Sequence, residues 1–172
     1  MKKLIAGIWI LFCTANVSGQ GLYAIERLPA SNMAHEEVAP VPYLNGLVYL
    51  SDRPNTSYVS RVNQDGRRFF KMLFVEQDEK GNWSTPSPFE PSLATRYNDG
   101  PVTFNGNLTV MCFCREYKME LEEEGRNANP NTGLYFAQWD DEAGAWSGVQ
   151  PFVHNDYDHN LYSPYLTPDG QD

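Results

Sequence analysis

The chain repeats itself, and a repeat restricts the possible folds more than composition does, because each unit must bury the same face beside its neighbour. The stretch YNDGPVTFNGNLTVMCFCR, Tyr97–Arg115, restates HEEVAPVPYLNGLVYLSDR, His35–Arg53, and HNLYSPYLTPDGQD, His159–Asp172, begins the phrase a third time. Each copy places a small residue before a proline, at Ala39-Pro40, Gly100-Pro101 and Ser163-Pro164. The three prolines stand 61 and 63 positions apart, and Gly81/Gly144, Trp83/Trp146 and Phe89/Phe152 are each separated by 63. Leu28, 61 positions before Phe89, reads as the tail of an earlier, partial copy.

Alternating apolar positions between turn residues predict four short strands per unit. In the first unit they are Val38–Tyr43, Leu47–Asp52, Phe69–Gln77 and Trp83–Phe89, with Asn45-Gly46 as the hairpin turn. Pro86 and Pro88 place the fourth strand at an edge, since proline cannot donate to a ladder. The second unit gives Pro101–Phe104, Leu108–Cys114, Leu134–Trp139 and Trp146–Phe152, and the third gives Tyr162–Leu166 before the turn Pro168-Asp169-Gly170. Leu22–Leu28 alternates weakly and is a candidate strand. The insertion from Glu116 to Gly133 carries Glu120, Glu122, Glu123 and Glu124, so a solvated loop is expected, with room for a helical turn in its first half.

Residues 1–19 read as a secretory leader: Lys2 and Lys3 precede the apolar run Leu4–Phe12, and Val17-Ser18-Gly19 offers small residues before a cut at Gln20. Bulky Phe12 disfavours lipidation at Cys13, and no segment of the mature chain has the length of a membrane-spanning helix. The expected compartment is therefore outside the cytoplasm. A formal net charge of −9 over 172 residues excludes a nucleic-acid footprint and docking on anionic lipid. Cys112 and Cys114, two apart on a strand, face the same side near the outer limit for a disulfide, and two buried thiols are expected.

The phrases SPYLTPDGQD, GPVTFNGNLTVMCFCR and APVPYLNGLVYLSDR resemble the TolB-type, WD-repeat-like β-propeller repeat, and within it the propeller region of OmpA-family envelope proteins of Bacteroidetes-like bacteria. The resemblance runs from about Leu22 to Asp172; the third copy carries Pro-Asp-Gly, whereas the first two substitute Leu44-Asn45-Gly46 and Asn105-Gly106. It implies an all-β propeller with blades over residues 35–92 and 93–155 and a partial one over 156–172, within a region spanning 20–172. Propellers take four to eight blades to close, so the chain is expected to be the N-terminal part of a longer protein. The resemblance implies a non-catalytic scaffold in the periplasm or at the outer membrane, meeting envelope proteins, envelope glycan or peptidoglycan-associated components. The rival is the propeller portion of an exported glycan-active enzyme or peptidase.

Chemistry-bearing residues are weighed against that repeat. Asp156, Asp158 and Asn160 begin like a calcium loop, but Leu161 and Thr167 stand where that loop needs Gly and Glu, so a polar connection is expected and no metal or cofactor is assigned. The Asp-Gly pairs at 65–66, 99–100 and 169–170 fit turns better than an aspartic dyad. Glu76, Asp78, Asp140 and Asp141 occupy equivalent strand ends, and nothing singles out a glycosidase pair. Asp78–Trp83 and Asp141–Trp146 miss the sialidase Asp-box spacing by one position. His35, His154 and His159 lie in connections, which leaves no nucleophilic triad. Trp83 and Trp146 are expected to pack between blades rather than to stack on sugars, and Arg53 and Arg115 to tie neighbouring elements.

Overall fold

The computed structural model describes residues 27–54, 62–63, 65–125 and 131–170, and over these the chain is all-β apart from short helical turns. The predicted leader, most of the Leu22–Leu28 strand and the asparagine-rich half of the insertion lie outside the described residues. Two four-stranded antiparallel meanders form in chain order: β1 (Glu37–Tyr43), β2 (Gly46–Ser51), β3 (Lys71–Glu76) and β4 (Ser87–Pro88), then β5 (Asp99–Phe104), β6 (Val110–Glu116), β7 (Thr132–Asp140) and β8 (Ala145–Pro151). The expected unit of four antiparallel strands thus occurs twice. Among the described residues the two sheets do not close into a ring.

Three local expectations change. The first hairpin turns on Leu44-Asn45, not Asn45-Gly46, because Tyr43 pairs directly with Gly46. Leu44 takes the left-handed backbone (φ 49°), while Gly46 is needed inside the strand, where a Cβ would collide with the Val75 carbonyl. The fourth strand of the first sheet shrinks to Ser87–Pro88 plus an isolated bridge from Gln77 to Trp83, as its prolines remove donors. The insertion is not simply a solvated loop: Lys118–Glu123 forms α1, which buries Leu121 beside Tyr117 in the main core. Gly133 in β7 leaves the space that the Tyr117 ring fills.

The sheets stack face to face. Val48, Leu50 and Met72 of the first meet Val102, Met111, Phe113, Tyr135, Ala137 and Trp146 of the second in one core. An aromatic knot joins them, with Tyr43 4.7 Å from Phe104 and 5.2 Å from Phe89 between ring centroids. The other face of the first sheet carries Tyr49, Leu73 and Val75, against which Trp83, Leu47, Leu28 and Ala30 pack.

The sequence repeat is a repeat of contacts. Asn98 Oδ1 accepts from Phe70 N at 2.7 Å, and 62 positions later Asn160 Oδ1 accepts from Thr132 N at 2.9 Å. Asp99 N donates to Phe70 O, and Leu161 N donates to Thr132 O. Phe89 N bonds Met72 O as Phe152 N bonds Leu134 O. Arg53 Nη2 donates to Ala30 O at 3.2 Å, and Arg115 Nη2 to Leu93 O at 2.6 Å. Leu28 packs on the first sheet where Phe89 packs in the main core, as expected of a partial earlier copy. The third copy is not a strand: residues 161–167 run without ladder partners. They nonetheless dock on the second sheet as β5 docks on the first, and Ser163 repeats the left-handed backbone of Gly100.

Candidate functional site

The densest polar chemistry lies where the first sheet hands over to the second. Asp99, 1% exposed, receives Lys71 Nζ at 2.7 Å and Thr95 N at 2.9 Å on one oxygen. Arg115 Nε stands 3.8 Å from its other oxygen, and the Arg115 guanidinium lies over the rings of Phe113 and Tyr135 at 5.0 and 5.3 Å. Lys71 also donates to the carbonyls of Thr95, at 2.7 Å, and of Tyr97. A buried charge is tolerated where it is paired and hydrogen-bonded, and here each charge is held by the segment joining the sheets. Beside it Glu116, buried on β6, accepts from Asn98 Nδ2; burial raises its carboxyl above the ordinary range against the opposing hydrogen bonds. Its partners, drawn from β3, β5, β6 and the segment between the sheets, make the cluster an inter-sheet tie. Sequence reasoning missed it by assigning Asp99-Gly100 to a turn; Asp99 belongs to β5, and Gly100 is required where a Cβ would press on Leu50 at 2.5 Å.

The other singled-out residues take structural posts. Cys112 and Cys114 are free, buried thiols, pushed up to about 12 and about 11 by desolvation. Asp156 accepts from Asp158 N at 2.9 Å and faces His159 Nδ1 at 2.8 Å, bonds that hold its carboxyl below the usual range. Asn160 ties back to Thr132 and Asn131, so this segment is the polar connection its sequence suggested. Asp78 closes its own turn through Lys80 N and Asn82. Arg53 pairs with Glu37 as Arg115 approaches Asp99. Trp146 is buried between the sheets, with Nε1 donating to Tyr43 Oη at 3.3 Å, as expected of an inter-sheet tryptophan.

Trp83, its repeat equivalent, was expected to pack between blades as well, but among the described residues no second sheet lies over it, and it borders an open groove of about 430 Å³ with Leu44, Asn45, Gly46, Gln77, Asp78 and Glu79. On the same face a smaller cavity of about 160 Å³ is lined by Leu28, Ser31, Glu37, Val38, Pro40, Leu47 and Tyr49. The Tyr49 hydroxyl is buried without a hydrogen-bond partner, and desolvation pushes it up to about 12, opposed by Arg53. At the other end of the stack, Tyr162 and Tyr165 are 69% and 76% exposed. No helix among the described residues is long and apolar enough to cross a membrane. No family model, curated protein or solved structure matches the chain.

Proposed function

We propose that this protein is a non-catalytic interaction scaffold built from β-propeller-type blades, exported to the bacterial cell envelope as part of an OmpA-family-like protein. The observation that carries the reading is the division of labour among its side chains. The buried charges, Lys71, Asp99, Arg115 and Glu116, are committed to holding one sheet on the next. The outer surfaces instead offer apolar and aromatic groups: Trp83 and Leu44 on one side, Val153, Tyr162 and Tyr165 on the other. Exposed apolar patches rimmed by polar residues are the usual mark of an interaction surface. Export is supported by the pattern of Lys2, Lys3 and Leu4–Phe12, and the family by the repeated small residue before proline followed by an Asn-Gly or Pro-Asp-Gly turn.

The test combines location with capture. A tagged chain expressed in a Bacteroidetes-type host is expected in the periplasmic or outer-membrane fraction and to retain envelope proteins after mild crosslinking. Retention in the cytoplasm sinks the envelope assignment. Turnover of polysaccharides or peptides, abolished by substituting a surface carboxylate, sinks the non-catalytic one.

A second reading has its own observation. The Trp83 groove sets an indole beside Asn45, Gln77 and the carboxylate of Glu79, a combination of stacking surface and hydrogen-bonding groups suited to a sugar. Quenching or a blue shift of tryptophan fluorescence on adding envelope glycan, lost in Trp83→Ala, would establish it.

A further inference from the structure

We infer that the cavity between segment 28–36 and the first two strands is a binding site for a small, largely apolar molecule that presents one oxygen acceptor to the Tyr49 hydroxyl. The inference is independent of the scaffold reading. The walls come from three elements: Leu28 and Ser31 from the segment, Glu37, Val38 and Pro40 from β1, and Leu47 and Tyr49 from β2. Hydrogen bonds fasten the segment to the sheet. Arg53 Nη2 donates to Ala30 O at 3.2 Å and to the Glu37 carboxylate, whose other oxygen accepts from Asn32 N at 3.1 Å. Asp52 N bonds Glu36 O, and Leu28 packs beside Tyr49, Leu73 and Val75. The space is therefore framed before any ligand arrives.

Size and polarity define the ligand. The cavity holds about 160 Å³, close to the ~150 Å³ of an apolar cavity that admits benzene. Leu28, Val38, Pro40 and Leu47 give it aliphatic walls suited to an apolar body. Tyr49 supplies the polar feature: it is 5% exposed, and its hydroxyl is buried with no hydrogen-bond partner among the described residues. Buried polar groups are nearly always bonded, and one left open costs its desolvation. Desolvation also keeps this phenol protonated at neutral pH, so it offers a proton and needs an acceptor. The repeat does not require the hydroxyl. When Arg53 is set on Arg115, Tyr49 falls on Met111, an apolar residue buried in the main core. Glu37 is already matched by Arg53 and Asn32 N, so an ionic ligand would lose its hydration against aliphatic walls with no counter-charge in return.

The probe is cyclohexanone, with benzene as a ring of similar size that lacks the oxygen. Methyl resonances of Leu28, Val38 and Leu47 in the whole chain are followed by NMR as each is added. Cyclohexanone is expected to give saturable shifts at all three residues and to bind more tightly than benzene. In Tyr49→Phe that preference should fall roughly tenfold, the loss of one buried hydrogen bond, while benzene binding persists and shows that the cavity is intact. Absence of saturable shifts with cyclohexanone overturns the inference, whether water or the chain itself fills the space. So does equal or tighter binding of benzene in the parent, or an undiminished preference for cyclohexanone in Tyr49→Phe. The preference in the parent is read without any variant, so it decides even if Tyr49→Phe binds neither probe.

Discussion

Asp99 shows how one side chain can decide whether two sheets stay together. Its buried carboxylate is held by the buried Lys71 Nζ and by Thr95 N, and approached by the half-buried Arg115. Breaking a buried pair by removing one partner costs about 3–5 kcal/mol, because the remaining charge is left uncompensated. Lys71→Met should therefore lower the denaturation midpoint by that order, and Lys71→Met with Asp99→Leu should recover part of the loss; additive losses would mean the pair is not coupled. Glu116 works with the opposite sign. Its folded carboxyl is raised by burial, so its favourable contribution is complete at pH below the unfolded carboxylate pKa and is lost as pH rises through the folded value. Glu116→Gln keeps an acceptor for Asn98 and removes that loss. The variant should be more stable than the parent at neutral pH, and the difference should vanish in mildly acidic solution. Thermal melts across that interval provide the measurement. None of this was legible in the sequence, where Asp99-Gly100 has the composition of a turn and Glu116 opens an acidic insertion. Burial, the property that matters for both, depends on which sheet lies opposite.

At the scale of the element, the sequence revealed most where local chemistry and tertiary demand coincide. β2, β3, β6 and β7 fall close to their predicted runs because alternating apolar residues face two covered sides. The predicted fourth strand of the first unit lies at the sheet edge as its prolines require, but its ladder is confined to Ser87–Pro88 and a bridge from Gln77 to Trp83. The third unit begins as its repeat requires, and among the described residues no strand pairs with residues 161–167. The insertion forms the helical turn its first half had room for, but it is not the solvated loop expected, because its run of glutamates hides an apolar anchor. Leu121 is buried in the main core, and Tyr97 Oη reaches the Glu122 carboxylate at 2.7 Å, so α1 is pinned from two sides. Leu121→Ala should cost about 2–5 kcal/mol, as for other buried leucines. A solvated loop would lose almost nothing, and the shift in denaturation midpoint at constant slope distinguishes the two.

Across the whole molecule, the repeated tryptophans separate what the sequence encodes from what assembly adds. Trp83 and Trp146 occupy the same place in their units, yet Trp146 is enclosed by Tyr43, Phe104 and Trp139, while Trp83 borders an open groove. The first sheet, through Tyr43, buries the tryptophan of the second; among the described residues no sheet does this for the first. Equal residues should therefore carry unequal energies. Trp146→Ala removes a fully enclosed aromatic and the bond to Tyr43 Oη, for a loss of about 3–5 kcal/mol. Trp83→Ala should cost clearly less in the isolated chain. The ordering follows from stacking alone, since the local sequence around both residues is similar. Chemical denaturation of the two variants should give a lower midpoint for Trp146→Ala, with near-ultraviolet circular dichroism and fluorescence changing together as the stacked sheets unfold as one unit. Equal losses would mean that each tryptophan stabilises only its own sheet. Added strand or sheet partners that raise the cost of Trp83→Ala toward that of Trp146→Ala would show the outer face completing itself as the inner one already has.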